Sequence, residues 1–210
     1  RAGQEDSGPV RPAAPTALND PRPALLTSGN DGLLRWPITS DDSAGLHLRL
    51  GPPQQLSALH RAWFAHDPDG GTLAAATEEG GPNKLVDVKS GLVRRELDIH
   101  PNGEVRALSR DGRWAASAGW HSDRVRLWNA DTGEMVHEWV LGKRTDVYFT
   151  PDSRALIIAR GDEFSFWDVE TFEPIRRLHR DAALYPGYVA FSPDGKLMAV
   201  EMSPAVIHLK

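Results

Sequence analysis

The sequence predicts an all-β protein made of repeated four-stranded antiparallel sheets. Three observations lead there. Short β-like runs alternate with turn clusters at roughly 8–12-residue intervals, and no helix-period apolar pattern is sustained anywhere. One turn recurs five times, as LNDPR (18–22), DPDGG (67–71), SRDGR (109–113), TPDSR (150–154) and SPDGK (192–196), so that Asp20, Asp69, Asp111, Asp152 and Asp194 are spaced by 49, 42, 41 and 42 residues. A second marker follows each of these by 15–17 residues: Trp36, Val86, Trp128, Trp167 and Leu209. Four short strands in a period near 42 residues is the repeat of a β-propeller blade.

Taken in order, residues 1–14 read as a polar, Pro- and Gly-rich linker or frayed lead-in, and residues 15–210 as the propeller segment. The copies are predicted at about 15–50, 58–98, 103–141, 145–179 and 187–210, giving about five blades, the last without its outer strand. The third copy shows the pattern best. Val105–Ser109 is its predicted first strand, Asp111-Gly112 its hairpin turn, Trp114–Ala118 its second strand, Val125–Asn129 its third and Met135–Leu141 its fourth. Predicted second strands elsewhere are 24–27, 73–77, 155–159 and 197–201; third strands are 33–38, 84–88, 164–169 and 206–209; fourth strands are 46–50, 92–97 and 174–178. The long first interval places its surplus in a loop insertion at Gly51-Pro52-Pro53-Gln54-Gln55. A lone blade cannot bury both faces, so each must stack on its neighbours. The small second-strand residues Ala74–Ala76 and Ala115–Ala118 suit strands that converge on an axis. A marker Trp buried between blades removes about 150–250 Å² from water, worth roughly 4–6 kcal/mol before entropy, so packing alone accounts for its recurrence.

Composition narrows the function. The 210 residues carry 24 basic and 29 acidic side chains, a net charge of −5, without the basic excess of a nucleic-acid binder. Cysteine is absent, which removes disulfides, thiolate metal sites and thiol nucleophiles. Apolar runs of about five residues, such as Ala155–Ala159, cannot span a bilayer as a helix. The compartment is left open, with the cytoplasm the default expectation.

The segments SGNDGLLRW (28–36), SAGWHSDRVRLWN (117–129), ARGDEFSFWDVET (159–171) and AFSPDGKLMAV (190–200) resemble the WD-repeat family of β-propellers. Trp167-Asp168 is the eponymous dipeptide, Trp128-Asn129 a near match and Trp36-Pro37 a weaker one. Asp31, Asp123 and Asp162 each stand five residues before a marker Trp; the resemblance implies that they brace the turn between second and third strands. The family's Gly-His dipeptide is missing from every copy, so the network its His anchors is expected to be absent or rebuilt. Val86-Asp87 and Leu209-Lys210 are further departures, and the pattern suggests a divergent, bacterial-type member. Family habit, mostly seven blades, implies that the array belongs to a larger ring and would be marginally stable alone.

Several residue groups invite chemistry and are better explained by the repeat. His60, His66, Asp67 and Asp69 could approach a metal, but His66 takes the place of Phe149 and Phe191, and Asp69 is the shared turn residue. Ser117, His121 and Asp123 have the types of a nucleophile triad without a nucleophile elbow. His47, His100, His137, His179 and His208 lack ligand spacing, and no phosphate or dinucleotide loop is present. Arg94-Arg95 and Arg176-Arg177 read as charged outer edges. No catalytic, metal or cofactor residues are therefore assigned.

The loops joining second to third strands, on the face that receives partners in the family, are the predicted binding surface. They carry Asn30, Glu78, Glu79, Trp120, His121, Arg124, Arg160 and Glu163, with Trp120 either an interface anchor or folded back on its own blade. The expected function is a non-catalytic scaffold for a protein or peptide, or for other domains of the same polypeptide. The resemblance leaves two alternatives: a propeller enzyme of lactonase or quinone-dependent dehydrogenase type, or a sensor propeller attached to a serine/threonine protein kinase.

Overall fold

The structure, a computed structural model, describes residues 23–29, 31–41, 47–57, 64–66, 72–75, 81–87, 90, 92–142, 144–203 and 206–209. Every regular element among them is a strand. Blade 1 holds β1 (Ala24–Gly29), β2 (Gly32–Asp41), β3 (His47–Leu50) and β4 (Gln54–Ser57). Blade 2 holds β5 (Phe64–His66), β6 (Thr72–Ala75), β7 (Asn83–Asp87) and β8 (Val93–Leu97). Blade 3 holds β9 (Glu104–Leu108), β10 (Trp114–Ala118), β11 (Arg124–Asn129) and β12 (Met135–Val140). Blade 4 holds β13 (Asp146–Phe149), β14 (Ala155–Ala159), β15 (Glu163–Asp168) and β16 (Pro174–His179). The fifth sheet holds β17 (Val189–Phe191), β18 (Met198–Ser203) and β19 (Val206–Leu209). Blades 2, 3 and 4 run in strict sequence order, each strand antiparallel to the next.

Stacking follows from the period-2 alternation of strand side chains. On β10 and β11, Ala115 and Trp128 pack with Leu85 and Leu97 of blade 2. Their neighbours Ala116 and Leu127 face the other way, onto Val147, Leu156 and Ile158 of blade 4. Blade 4 repeats the device: Ile157, Phe164 and Phe166 turn to Val189 and Val200 of the fifth sheet. The first strands β5, β9 and β13 lie side by side at the inner edge. The sheets are therefore propeller blades, and from blade 2 to the fifth sheet facing walls are buried against one another. Strand β10, all small residues after Trp114, is buried along its whole length.

The recurring aspartate has a concrete job. In blade 3 Asp111 Oδ1 accepts from Ser109 Oγ at 2.6 Å and Arg113 N at 3.1 Å, while Ser109 Oγ accepts from Trp114 N at 2.9 Å. Asp152 repeats this with Thr150 Oγ1 and Arg154 N, and Asp194 with Ser192 Oγ and Lys196 N. A hydroxyl two residues before the Asp is thus part of the signature. The Asp of the Trp-Asp dipeptide caps the other turn. Asp168 Oδ1 accepts from Glu170 N and Thr171 N, and Asn129 Oδ1 from Asp131 N and Thr132 N.

One expectation is corrected and another is resolved. The surplus of blade 1 is not a loop at residues 51–55. Strand β3 pairs with β2 as Ile38↔Leu50, and β4 continues along the same strand as Arg35↔Gln54. Together they form one outer strand, broken at Pro52-Pro53, where proline has no N–H to give a ladder. The added length is a longer hairpin between third and fourth strands, carrying exposed Leu48 and Leu50.

Of the two outcomes expected for the histidine network, absent or rebuilt, blade 3 shows the second. Trp128 Nε1 donates to Ser117 Oγ at 2.9 Å, Ser117 Oγ lies 2.7 Å from His100 Nδ1, and His100 Nε2 lies 2.8 Å from Ser122 Oγ. His100 is preceded by Ile99 rather than by the glycine of the family's Gly-His dipeptide. A neutral imidazole protonated on Nε2 satisfies the whole chain: indole N–H to Ser117, Ser117 O–H to Nδ1, and Nε2–H to Ser122. Burial, with the Arg126 charge second, lowers the His100 pKa to about 4 and so maintains that neutral form.

Candidate functional site

Antiparallel connectivity sends the second-to-third-strand loops and the connections between blades to one end of the sheets. The hairpins built on Asp111, Asp152 and Asp168 lie at the other end. Trp120 stands at the first end, where β10 leaves the core. Gly119 precedes it because a Cβ there would lie 2.2 Å from Asn102 O. Trp120 is half-buried, and what covers it comes from beyond its own sheet. The Tyr185 ring meets it edge-on with centroids 5.1 Å apart and an interplanar angle of 68°. The Arg144 guanidinium lies 5.8 Å from its ring centre, and Arg144 N donates to Trp120 O at 3.2 Å. Arg144 Nη1 reaches Leu184 O at 3.4 Å. Arg144 itself takes a positive φ of 63°, sparsely populated for a side-chain-bearing residue.

Trp120, Arg144, Leu184 and Tyr185 thus form one surface across the third and fourth blades and the connection to the fifth sheet. Leu184 is 59% and Tyr185 57% exposed, so apolar area is presented to solvent beside a fixed guanidinium. The connection carrying them is tied down by Arg180, whose side chain is 1% exposed. Arg180 lies over Phe164, with its Nη1 3.2 Å from Tyr185 O and its Nη2 3.9 Å from Glu201.

The other expected loop residues differ in availability. His121 is exposed. Arg124 is committed to Glu138 and lies 3.6 Å from Asp123. Against the cost of burial, hydrogen bonds from Arg126 and Arg124 hold the Glu138 carboxyl below the usual carboxylate range. Arg160 is committed to both oxygens of Asp162 at 3.2 Å. Asn30, Glu78, Glu79 and Asp69 lie outside the described residues, as do His60 and Asp67.

The expected aspartate brace takes another form. Asp123 and Asp162 turn their carboxylates to arginines, and their carbonyls close the turns, accepting from Leu141 N and Arg180 N at 3.0 Å. Asp31 likewise uses its carbonyl, which accepts from Gln55 Nε2 at 2.9 Å. The marker Trp36 donates to Thr27 Oγ1 at 2.8 Å and Trp167 to Ser165 Oγ at 3.0 Å. Ser117 touches His100 rather than His121, in a structural rather than nucleophilic setting.

The inner strands carry a small polar group that sequence reading undervalued. Arg106 lies 3.4 Å from Glu104 on β9. On β13, burial raises the Asp146 carboxyl, and burial with the Asp146 charge raises the Tyr148 phenol above its ordinary range. Among the described residues no three His, Asp or Glu side chains gather closely enough to hold a metal ion.

No family model matches the chain. It is similar to the serine-threonine kinase receptor-associated protein of Dictyostelium discoideum, 25% identical over 107 residues, which cover 45% of this chain and 36% of that protein. That relative is of WD-repeat type, in keeping with the turn and tryptophan markers. Among solved structures the chain is similar to Kuenenia stuttgartiensis hydrazine synthase, with a TM-score of 0.58 at 20% identity, over 70% of this chain and 44% of that one. That likeness is one of propeller-like fold. The chain spans less than half the length of both.

Proposed function

We propose that the chain is a non-catalytic recognition platform that binds a protein or peptide through the surface formed by Trp120, Arg144, Leu184 and Tyr185. The observation that carries this is the join of Trp120 to Tyr185 and Arg144 across separate blades, with Leu184 and Tyr185 more than half exposed. Tryptophan, tyrosine and arginine dominate the binding energy of protein interfaces. The scaffold beneath them is already ordered, so a partner meets little ordering cost. The curated relative is by its name a receptor-associated protein, which supports the same class of role. A binding role also fits the commitment of Arg124 and Arg160 to ion pairs that hold loop shape.

The test is a peptide selection from a random display library against the chain, followed by affinity measurement on Tyr185→Ala and Arg144→Ala. Selected peptides should lose at least about ten-fold in affinity for each variant, at an unchanged melting temperature. Peptides that bind both variants as tightly as the parent would reject this surface.

A further inference from the structure

We infer that the cleft between blades 3 and 4, at the end of the sheets opposite Trp120, is a second binding site, one that takes a single basic side chain presented by a peptide. The cleft has a volume of about 450 Å³, within the range of ligand sites, and its walls include Asp111, Asp152, Asp168, Glu170, Arg113 and Trp114. Arg154 is the other cation on its rim, so four carboxylates face two guanidinium groups.

The carboxylates are fixed before anything binds. Asp111, Asp152 and Asp168 each spend Oδ1 on turn hydrogen bonds. Those bonds, from Thr150 to Asp152 and from Thr171 N to Asp168, also hold both carboxyls below their usual range, so they are ionised at neutral pH. Asp111 N donates to Ser153 Oγ at 3.1 Å, which locks the two hairpins together across the cleft. Among the described residues none of the three aspartates makes a side-chain ion pair within 4 Å. They are also too dispersed to share a metal ion. Dispersed, rigid carboxylates suit an extended cation such as guanidinium.

The aromatic wall supplies an independent sign. Trp114 is 8% exposed, and its indole Nε1 has no hydrogen-bond partner. That N–H lies within the packed wall rather than on the open surface, and the Trp114 side chain lines the cleft. The chain's own Arg113 already shows where a cation goes. Its guanidinium lies 5.3 Å from the Trp114 ring centre and its Nη1 3.6 Å from Glu170. Arg113 is half-exposed and acts as a placeholder that an incoming arginine or lysine displaces.

The test is NMR titration of the 210-residue chain, following the Trp114 indole N–H, with acetyl-Ala-Arg-Ala-amide and its citrulline counterpart. The arginine peptide should give a saturable shift, and the citrulline peptide should bind at least about ten-fold more weakly. Combined Asp152→Asn and Asp168→Asn should weaken the arginine peptide by about ten-fold with only a small fall in melting temperature, because asparagine keeps the turn acceptor but not its charge. Arg113→Gln should tighten it about three-fold. Trp120→Ala should leave it unchanged, which separates this site from the loop surface. Equal binding of the citrulline peptide, no saturation, or indifference to the two aspartate changes would overturn the proposal.

Discussion

Blades 3 and 4 share a sheet order and a turn signature but differ in how they bury the marker tryptophan. In blade 3, Trp128 is fully buried and donates into a chain of Ser117, His100 and Ser122. In blade 4 the residue equivalent to Ser117 is Ile158, and the hydroxyl has crossed the rung to Ser165, which pairs with Ile158 and accepts from Trp167. Among the described residues no histidine enters. Trp167, only half-buried, lies 5.6 Å from Trp139 of blade 3 instead. The turns differ in the same spirit. Blade 3 turns through Gly133 at a φ of 81°, whereas blade 4 puts Phe172 at 61° and stacks it on His137 with ring centres 4.5 Å apart. The geometry of a blade is thus held by the turns, while the filling between blades can be polar or aromatic. A polar filling must be complete, since a buried donor left unpaired costs about 1–3 kcal/mol.

This contrast can be broken at several points. Trp128→Ala should destabilise by about 3–5 kcal/mol, since it opens a cavity between blades 2 and 3 and removes the donor to the Ser117 oxygen. Trp167→Ala should cost about half as much. Urea titrations of the two variants measure the difference, and equal losses would mean that the fillings are equivalent. His100→Leu should cost about 2 kcal/mol by leaving Ser117 and Ser122 without their partner.

Acid should act through the same histidine. Its folded pKa of about 4 lies below the unfolded value of 6.5. The contribution to stability is therefore complete above pH 6.5 and falls as the pH drops towards 4, by at most about 1.4 kcal/mol per unit. Melting curves across that window should show the slope in the parent and a shallower one in His100→Leu; identical slopes would mean that His100 is not the titrating group. The smallest effect is expected at Phe172→Gly. Relief of about 1 kcal/mol of left-handed strain should offset part of the packing lost on His137 and Trp139, leaving the unfolding free energy from urea titration within about 1 kcal/mol of the parent. A large loss there would show that the aromatic filling, not the turn, fixes blade 4.

The readable part of this protein is what repeats. Asp111, Asp152 and Asp194 announce hairpins because a short carboxylate can serve its own turn, so their spacing carries the blade period and most strand limits. Features that depend on non-repeating contacts were hidden. The hairpin of blade 1 was misplaced because Pro52-Pro53 resembles a loop in sequence yet sits within an outer strand. His100 was hidden because the network needs an imidazole at that point in space, whatever residue precedes it. Three of the four residues of the candidate site, Arg144, Leu184 and Tyr185, lay beyond sequence reading for a similar reason. Trp120 could be found as an aromatic in a polar loop, but Tyr185 and Arg144 come from the connections between blades, and no local pattern links them to it.

The most direct test of the recognition surface is Trp120→Ala, with thermal stability and binding of a library-selected peptide measured on the same sample. Because Trp120 is only half-buried, the melting temperature should fall by no more than about 4 °C while peptide affinity drops at least about ten-fold. A large fall in melting temperature, with affinity unchanged in the remaining folded protein, would show that Trp120 is a packing residue and contradict the account.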